Sequence, residues 1–292
     1  TGAGKSAFLT STLVALLLRN TPYDLRLTLI DPKRVELSAF EGLPHVTEMV
    51  TDASAAGTVL RRLVSMMDER YTLFRAAGVK NIGEYNAGGE PLPRHVVVVD
   101  ELADLMLTSK VCEALLVKLA TLGRAAGIHL LLATQHPDAK VLTAQLRLNI
   151  PARVVFAVQS HVASNVALGY SGAEKLRGQG DGLFKAPSVG DPIRFQAPLV
   201  PAADVERVVA HWQMQAPAPV PLPQPVENPV HDDGAETRAE VEAWRAAQVN
   251  AATATLSPAQ ILADAGLSPL VIDALVQTLA ERLAPAVAEA LD

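Results

Sequence analysis

The chain of 292 residues has few of the features that mark secreted or membrane-embedded proteins. Its single cysteine, Cys112, excludes a disulfide framework and predicts a reducing, cytoplasmic location. No apolar run approaches the roughly 18 residues that suggest a membrane span, and no signal sequence is visible at the start. Aromatic residues make up only 4% of the chain, whereas 49% of all residues are hydrophobic, which predicts a soluble globular protein.

Positive charge is also scarce, because 25 Lys and Arg residues face 31 Asp and Glu residues, for a net charge of −6. This acidity is concentrated near the end of the chain. Residues 231–292 hold ten acids and three arginines, a net charge of −7, which leaves +1 for the remainder. The first 230 residues therefore carry no excess negative charge that would repel a polyanion.

Strand-like apolar runs alternate with amphipathic helical patterns over the first 200 residues. The runs read "LRLTLID", "HVVVVDE", "HLLLATQ", "RVVFAV" and "DGLFKA/PIRFQAPLV". Continuous apolar runs such as "VVVV" are typical of strands buried on both faces of a parallel sheet. Between them, apolar residues recur at helical spacing from Val59 to Phe74, with Asp52 as the expected N-cap. The pattern predicts an α/β fold with a doubly wound, mainly parallel sheet.

Composition divides the chain into three parts. Residues 1–213 form the α/β domain, and residues 214–230 read as a semi-rigid extended linker because "QAPAPVPLPQPVENP" contains six prolines. Residues 231–292 read as a small acidic helical tail, where Ser257 and Ser268 each precede a proline and are suited to cap short helices.

The opening "TGAGKS" resembles the second half of a phosphate-binding loop, G-x-x-x-x-G-K-[ST], whose first glycine would lie two residues before Thr1. In such a loop, backbone N–H groups and a helix N-terminus bind phosphate. Lys5 would reach the β- and γ-phosphates of ATP, and the Ser6 hydroxyl would hold Mg²⁺. A chance match is the alternative. The expected nucleotide-binding residues are Thr1, Gly2, Ala3, Gly4, Lys5, Ser6 and Ala7.

A valine-rich strand ends in two acids in "RHVVVVDELADLM", 95 positions after Lys5. A buried strand of this kind delivers both carboxylates to the edge where open α/β sheets bind ligands. Asp100 is expected to hold Mg²⁺ through a water, and Glu101 to activate the attacking water. The next strand, "HLLLATQ", ends in Thr134 and Gln135. Gln135 is expected to sense the γ-phosphate or the water, unless this is an ordinary strand end.

With these motifs in order, residues 1–212 resemble the motor domain of the FtsK/SpoIIIE family of DNA translocases. The resemblance rests on "TGAGKS", "LIDPKRVELSAFEGLPHV", "MDERYTLFRAAGVKNIGEYN", "HVVVVDELADLM", "LATLGRAAGIHLLLATQHP", "NIPARVVFAVQS" and "GAEKLRGQGDGLF". It implies a RecA-like P-loop NTPase core in a homohexameric ring around double-stranded DNA, with ATP hydrolysed between subunits. It also implies that a cation from the neighbouring subunit completes each site.

The resemblance suggests roles for several further residues. Arg124 is the expected cation from the neighbour, with a helix-surface arginine paired with an acid as the alternative. Lys33 either couples the nucleotide to the ring or forms a salt bridge with Glu36. Asp104 is expected to support or cap rather than catalyse, and Gly178 and Gly180 lie in a segment that the family places near the nucleotide and the subunit interface.

Three positions depart from the family in segments that line the pore and contact DNA. His136 and His161 replace an arginine and a lysine, and Asn165 replaces an arginine. Imidazoles with a pKa near 6.5 are mostly neutral at pH 7, so these DNA-contact candidates are expected to bind phosphates more weakly than permanent cations. Alternatively, neighbouring cations compensate, namely Lys140, Arg147, Arg153 and Lys175.

The tail also departs from the family pattern. Members often end in a winged helix with a basic face that reads DNA, whereas this acidic tail predicts a docking module for a protein partner, or a partly disordered extension. The family also often carries membrane spans and a long linker in its N-terminal region, so the parent protein is expected to be anchored through residues upstream of Thr1.

The function predicted from these observations is an ATP-driven double-stranded DNA translocase of the chromosome-segregation or DNA-transfer kind. Two alternatives remain open. One is a protein-exporting ATPase of the same superfamily, which the altered pore residues favour, whereas the segments "IDPK…EL" and "RAAGIHL" favour DNA. The other is a truncated fragment that does not hydrolyse ATP, since half of the phosphate loop would precede Thr1.

Overall fold

A computed structural model describes residues 2–88, 91–108, 110–186 and 190–215 of the chain. The expected roles of Thr1, of the linker beyond Gln215 and of the 231–292 tail fall outside these residues. Within the described part, the helices are α1 (Lys5–Leu17), α2 (Ala53–Ala77), α3 (Ile82–Asn86), α4 (Leu102–Thr108), α5 (Lys110–Leu122), α6 (Ala144–Asn149), α7 (His161–Leu168) and α8 (Ala202–Gln215). Helix α8 thus ends two residues beyond the expected domain end at 213. Short 3₁₀ helices span Ser38–Phe40 and Ala173–Lys175.

Four strands form a parallel sheet in the order β2-β1-β3-β4. They are β1 (Leu25–Ile30), β2 (Val46–Val50), β3 (Arg94–Val99) and β4 (Ile128–Leu132). Three of them confirm the apolar runs predicted from the sequence. Strand β2 was not predicted, because its central Thr47, Glu48 and Met49 are only half-buried and the segment lacks a continuous apolar run.

Helices cover both faces of this sheet, as a doubly wound fold requires. On one face, Val97 and Val99 of β3 pack with apolar residues of α2, α4 and α5. On the other, Val98 of β3 packs with residues of α1 and α8. Alternate residues of one valine run therefore enter two separate cores, which is why the run is apolar throughout.

Helix α2 begins directly after the N-cap that its sequence predicts. The Asp52 side chain accepts a hydrogen bond from the Ser54 N–H, and Gly78 ends the helix in a left-handed conformation with φ of 69°. Among the described residues, no helix is both long enough and apolar enough to cross a bilayer.

The later strand-like runs form a second sheet. Strands β5 (Arg153–Phe156), β6 (Asp181–Lys185) and β7 (Ile193–Gln196) are antiparallel in the order β5-β6-β7. The strand prediction for these runs is confirmed, but they do not extend the parallel sheet. Only seven residues separate β6 from β7, fewer than the dozen or so that a parallel crossover needs, so these neighbours pair as a hairpin.

An aromatic cluster fixes the second sheet to the start of α1. The rings of Phe8, Phe156 and Phe195 lie with every pair of centroids 5.8 Å apart. Each pair is tilted or edge-to-face, as the ring quadrupole favours. At the other end of α1, the Trp212 indole N–H of α8 donates to the Leu17 carbonyl at 3.1 Å. Helix α1 therefore joins the second sheet to the last described helix.

Candidate nucleotide site

The carboxyl ends of the parallel strands place polar residues at one edge of the sheet. Asp31 follows β1, Asp100 and Glu101 follow β3, and Thr134 lies two residues beyond the end of β4. Because the strands are parallel and in register, their last residues meet at this edge. Helix α1 begins at the same edge with Lys5 and Ser6.

Lys5 and Asp100 are in direct contact although they lie 95 residues apart in sequence. The Lys5 Nζ atom donates to Asp100 Oδ1 at 2.7 Å and to the Asp100 main-chain oxygen at 2.8 Å. The Asp100 side chain is only 3% exposed and that of Lys5 is 18% exposed. The phosphate-loop lysine and the strand-end aspartate are therefore brought together, as the sequence predicts.

The start of α1 is suited to bind an anion. The helix begins after Gly4 without a side-chain cap, and Gly2 and Gly4 both have positive φ, 89° and 120°. First-turn N–H groups of an uncapped helix point outward along its axis and attract negative charge. Lys5, Ser6 and Ala7 form that first turn.

The phosphate loop also pairs with the glycine-rich turn before β6. The Gln179 N–H donates to the Gly2 carbonyl at 3.1 Å, and the Gly180 N–H donates to the Ala3 carbonyl at 3.0 Å. Gly178 lies next to them, since a Cβ placed on it would be 3.8 Å from the Gly2 oxygen. Gly178 and Gly180, which the resemblance places near the nucleotide and the subunit interface, therefore lie beside the phosphate loop.

Glu101 is buried and held by several donors. The Thr134 hydroxyl donates to Glu101 Oε1 at 2.6 Å, and the Gln135 N–H donates to Oε2 at 3.1 Å. The Ala103 N–H lies 3.3 Å from Oε1. These contacts fix the carboxylate orientation, and Thr134 is a contact that the sequence reading did not assign.

The loop after β1 forms a further wall of the site. The Ser6 hydroxyl donates to Glu36 Oε1, while Lys33 Nζ lies 3.5 Å from Asp104 Oδ2 and 3.9 Å from Glu101 Oε2. The expected alternative of a salt bridge between Lys33 and Glu36 is therefore wrong. The loop directs the two side chains to different partners, with Lys33 toward the acids after β3 and Glu36 toward α1.

The site concentrates negative charge. Burial raises the pKa of the Asp100 carboxyl, the hydrogen bond and charge of Lys5 oppose this, and the nearby Asp31 and Glu36 carboxylates raise it further. Asp31 is itself buried, and its Oδ1 atom has no hydrogen-bond partner. Such a site has carboxylate oxygens available for a cation.

Gln135 and Arg124 are both exposed but lie in different places. Gln135 touches Glu101 through its backbone N–H only. Arg124 lies in the turn between α5 and β4, before the strand rather than after it. It is therefore at the opposite edge of the sheet from Asp100 and Glu101, and it is not on a helix surface as the alternative reading assumed.

The three DNA-contact candidates are also exposed. His136 follows Gln135 in the segment after β4, and His161 is the first residue of α7 after its N-cap, Ser160. The Asn165 side-chain amide of α7 lies 3.4 Å from the Ser171 hydroxyl. His136 approaches the site through its backbone, since its N–H donates to the Thr134 hydroxyl at 3.0 Å, whereas no contact joins any of the three side chains to Lys5 or Asp100.

Similarity to known proteins covers the site and most of the fold. A model of the FtsK/SpoIIIE family matches residues 1–139. The chain is 44% identical over 230 residues to the DNA translocase FtsK of Tropheryma whipplei (strain TW08/27), covering 74% of this chain and 31% of that protein. It is 42% identical over 225 residues to the DNA translocase SftA of Bacillus subtilis (strain 168), covering 74% and 24%.

Solved structures give the same picture of the fold. The pCW3 conjugation coupling protein TcpA, in monomer form with ATPγS, is 32% identical with a TM-score of 0.63, covering 72% of this chain and 62% of that one. The cytoplasmic domain of the Type VII secretion ATPase EccC of Thermomonospora curvata is 27% identical with a TM-score of 0.68, covering 77% and 28%.

The chain spans about a third or less of the length of the curated relatives described above. The match extends well past the phosphate loop and the strand-end acids, and the parallel sheet agrees with that of P-loop ATPases. On these grounds, the chain belongs to the FtsK/SpoIIIE family.

Proposed function

We propose that the chain is the ATP-hydrolysing motor of a DNA translocase, which moves double-stranded DNA through a homohexameric ring. The contact that carries this proposal joins Lys5 Nζ to Asp100 Oδ1 at 2.7 Å, with Glu101 buried beside it. It brings a phosphate-loop lysine and two strand-end acids to the start of one uncapped helix. Relatives named DNA translocase support double-stranded DNA as the molecule that is moved.

The residues present fit a nucleotide with magnesium. The uncapped first turn of α1 would receive phosphate oxygens, and Lys5 would exchange the Asp100 carboxylate for the β- and γ-phosphates. Ser6 and Asp100 would hold Mg²⁺, and the buried, unpartnered Oδ1 of Asp31 adds negative charge close by. When bound, Mg²⁺ neutralises charge on the phosphates and polarises the γ-phosphoryl group.

The remaining chemistry belongs to the side chains. Glu101 would orient a water for attack on the γ-phosphate and accept its proton, while Thr134 and the Gln135 N–H hold the carboxylate in place. Arg124 lies at the amino-terminal ends of the strands, opposite the Asp100 and Glu101 of its own subunit. The transition state that it would stabilise is therefore that of a neighbouring subunit. Such arginines raise turnover by about 10³–10⁵-fold.

DNA contact is assigned to the exposed segments after β4 and at the start of α7, which hold His136, His161 and Asn165. Contacts of this kind reach backbone phosphates and carry no sequence information. We also infer a cytoplasmic location, which the single, buried and reduced Cys112 supports.

The test is ATP turnover by the protein as its gene encodes it, with and without linear duplex DNA. We expect DNA to stimulate turnover, and Glu101→Gln to lower it by about 10²–10⁴-fold, since a positioned general base contributes that much. Glu41→Gln, at an exposed acid outside the site, serves as the control. Absence of DNA stimulation, or full turnover by Glu101→Gln, contradicts the proposal.

A protein-exporting ATPase is the second candidate. The exposed His136, His161 and Asn165 weaken the expected grip on phosphates, and a Type VII secretion ATPase is among the similar structures. Binding of duplex DNA at increasing salt separates the candidates. A DNA motor loses affinity steeply as salt rises because counterions are released on binding, whereas a protein-exporting ATPase shows no such slope.

A further inference from the structure

The two functional side chains of the phosphate loop contact different carboxylates. Lys5 donates to Asp100, whereas the Ser6 hydroxyl donates to Glu36, 30 residues further along the chain. Asp100, the expected magnesium ligand, therefore does not accept the Ser6 proton. Glu36 is the acceptor, and the sequence reading gave it no part in the site.

Asp31 holds the loop that carries Glu36. Its Oδ2 atom accepts hydrogen bonds from the N–H groups of Val35, Glu36 and Leu37 at 2.9, 3.0 and 2.9 Å. The loop turns at Arg34, which has a positive φ of 53°, and the Arg34 N–H donates to the Asp31 carbonyl at 3.1 Å. The backbone at Glu36 is therefore fixed by three bonds to one buried carboxylate.

The loop is also anchored to the parallel sheet and to the core. The Asp31 N–H donates to the Val50 carbonyl of β2 at 2.9 Å, and the Leu37 side chain is buried. Glu36 itself is half-buried between these anchors. Its contact with Ser6 is therefore part of the folded loop rather than a chance approach of an exposed side chain.

This geometry has a consequence for metal binding. A serine hydroxyl binds Mg²⁺ through an oxygen lone pair, so its proton must be donated elsewhere. A carboxylate that accepts this proton orients the lone pairs and increases the electron density on the oxygen. Replacing a side chain that hydrogen-bonds to a metal ligand, without touching the metal itself, changes metal affinity by about 10–100-fold.

We propose that Glu36 is a positioning residue for the magnesium ligand Ser6, and that Asp31 holds Glu36 in place. This inference rests on the proposed function, because it assumes that Mg²⁺ and a nucleoside triphosphate bind at the phosphate loop. In it, Asp100 supplies a carboxylate to the metal shell, and Glu36 acts only through the Ser6 hydroxyl.

The test measures nucleotide binding rather than turnover. A fluorescent ATP analogue is titrated into the protein as its gene encodes it, first in EDTA and then at increasing Mg²⁺. We expect Glu36→Ala to raise the Mg²⁺ concentration for half-maximal enhancement by about tenfold or more, with metal-free affinity changed by less than about twofold. Glu36→Gln preserves the side-chain volume and is expected to act in the same direction, which guards against a folding defect. Glu41→Ala is the control and should match the unsubstituted protein.

A double substitution tests whether Glu36 acts through Ser6. We expect Ser6→Ala combined with Glu36→Ala to need no more Mg²⁺ than Ser6→Ala alone, because the shared route is already removed. An unchanged Mg²⁺ requirement in Glu36→Ala and Glu36→Gln, or additive losses in the double variant, overturns this inference alone. If the unsubstituted protein shows no magnesium-dependent nucleotide binding, the proposed function fails and this inference fails with it.

Discussion

The backbones of Gly4 and Gly180 touch, since a Cβ placed on Gly4 would lie 2.5 Å from the Gly180 Cα atom. The contact joins the start of α1 to the turn that precedes β6. Phe156 closes the same space from the second sheet, with a ring carbon 3.1 Å from that Cβ position. The phosphate loop is thus packed against the second sheet and cannot accept a side chain at Gly4.

We therefore expect Gly4→Ala to disturb both the fold and nucleotide binding. The added methyl must displace a backbone segment, and φ of 120° is strained for alanine. Overpacking of this kind costs about 1–3 kcal/mol in the free energy of unfolding. Urea unfolding and binding of a fluorescent ATP analogue measure the two effects. Gly190→Ala, where an added Cβ meets nothing within 4 Å, should leave both unchanged.

Thr134→Val should lower turnover while leaving nucleotide affinity intact. The substitution removes the 2.6 Å hydrogen bond to Glu101 but keeps the branched shape of the side chain. A hydrogen bond to a charged group contributes about 1.5–3 kcal/mol, which corresponds to about tenfold or more in kcat. Steady-state kinetics should show a change in kcat with little change in KM, and Thr134→Ser should restore the rate. A normal kcat in Thr134→Val contradicts the positioning role.

Arg124 and Glu101 lie at opposite edges of the sheet, so we expect them to serve sites in different subunits. Rings made only of Arg124→Ala or only of Glu101→Gln should have low turnover. Mixing the two variants creates interfaces where an intact Glu101 faces an intact Arg124. Turnover by the mixture should therefore exceed that of either variant alone, and turnover that stays at the average of the two excludes Arg124 as the cation from the neighbour.

Stability should fall as the solution becomes acidic, because His45 and His95 are buried and His129 is half-buried, which favours their neutral form. Burial is the main cause that lowers the pKa of His95 to about 3 and those of His45 and His129 to about 4, from an ordinary value of 6.5. Below pH 6.5 the unfolded chain binds protons that the folded chain does not. The stabilisation is therefore complete above pH 6.5 and is lost as pH falls toward 4.

Between pH 6.5 and about pH 4, each such imidazole lowers the free energy of unfolding by about 1.4 kcal/mol for every unit by which the pH falls. Urea unfolding at pH 7.5 and pH 5.5 measures the loss. His129→Leu should reduce the pH dependence by one imidazole, whereas His136→Leu, at an exposed position, should not change it. Equal stability at the two pH values contradicts the buried neutral state.

Restoring positive charge at the expected pore segments should strengthen DNA binding. In His136→Arg with His161→Lys, each cation that reaches a phosphate steepens the slope of log K against log salt by about 0.9. Duplex binding at pH 7.5 and about 50–200 mM salt, an interval that brackets the physiological ionic strength of about 150 mM, measures the slope. Glu41→Lys adds a cation away from these segments and should not steepen the slope. An unchanged slope in the double variant removes these two positions from the DNA contact.

Local sequence patterns were enough to find much of the fold and part of the site. The valine run before Asp100 predicts a buried parallel strand, and parallel strands end at one edge, so its approach to Lys5 could be foreseen. Helix α2 and its Asp52 cap follow from helical spacing and a single side-chain preference. Burial of Glu101 could be expected as well, because it comes directly after that buried strand and Asp100.

Other relationships depend on segments whose packing no local pattern encodes. The antiparallel pairing of β5, β6 and β7 depends on short connections as well as apolar content, and a run of apolar residues does not say which sheet it joins. Strand β2 was missed because its centre is polar and half-buried at the edge of the sheet.

The sequence alone determined which chemical groups are available, namely a lysine, a hydroxyl and two strand-end carboxylates, because each is written in a short motif. Only the folded chain decided which group faces which. Ser6 meets Glu36 rather than Asp100, and Lys33 meets Asp104 rather than Glu36. The physical reason is that Asp31 gathers three backbone N–H groups and so sets the path of the loop, and a side chain reaches its partner only once that path exists.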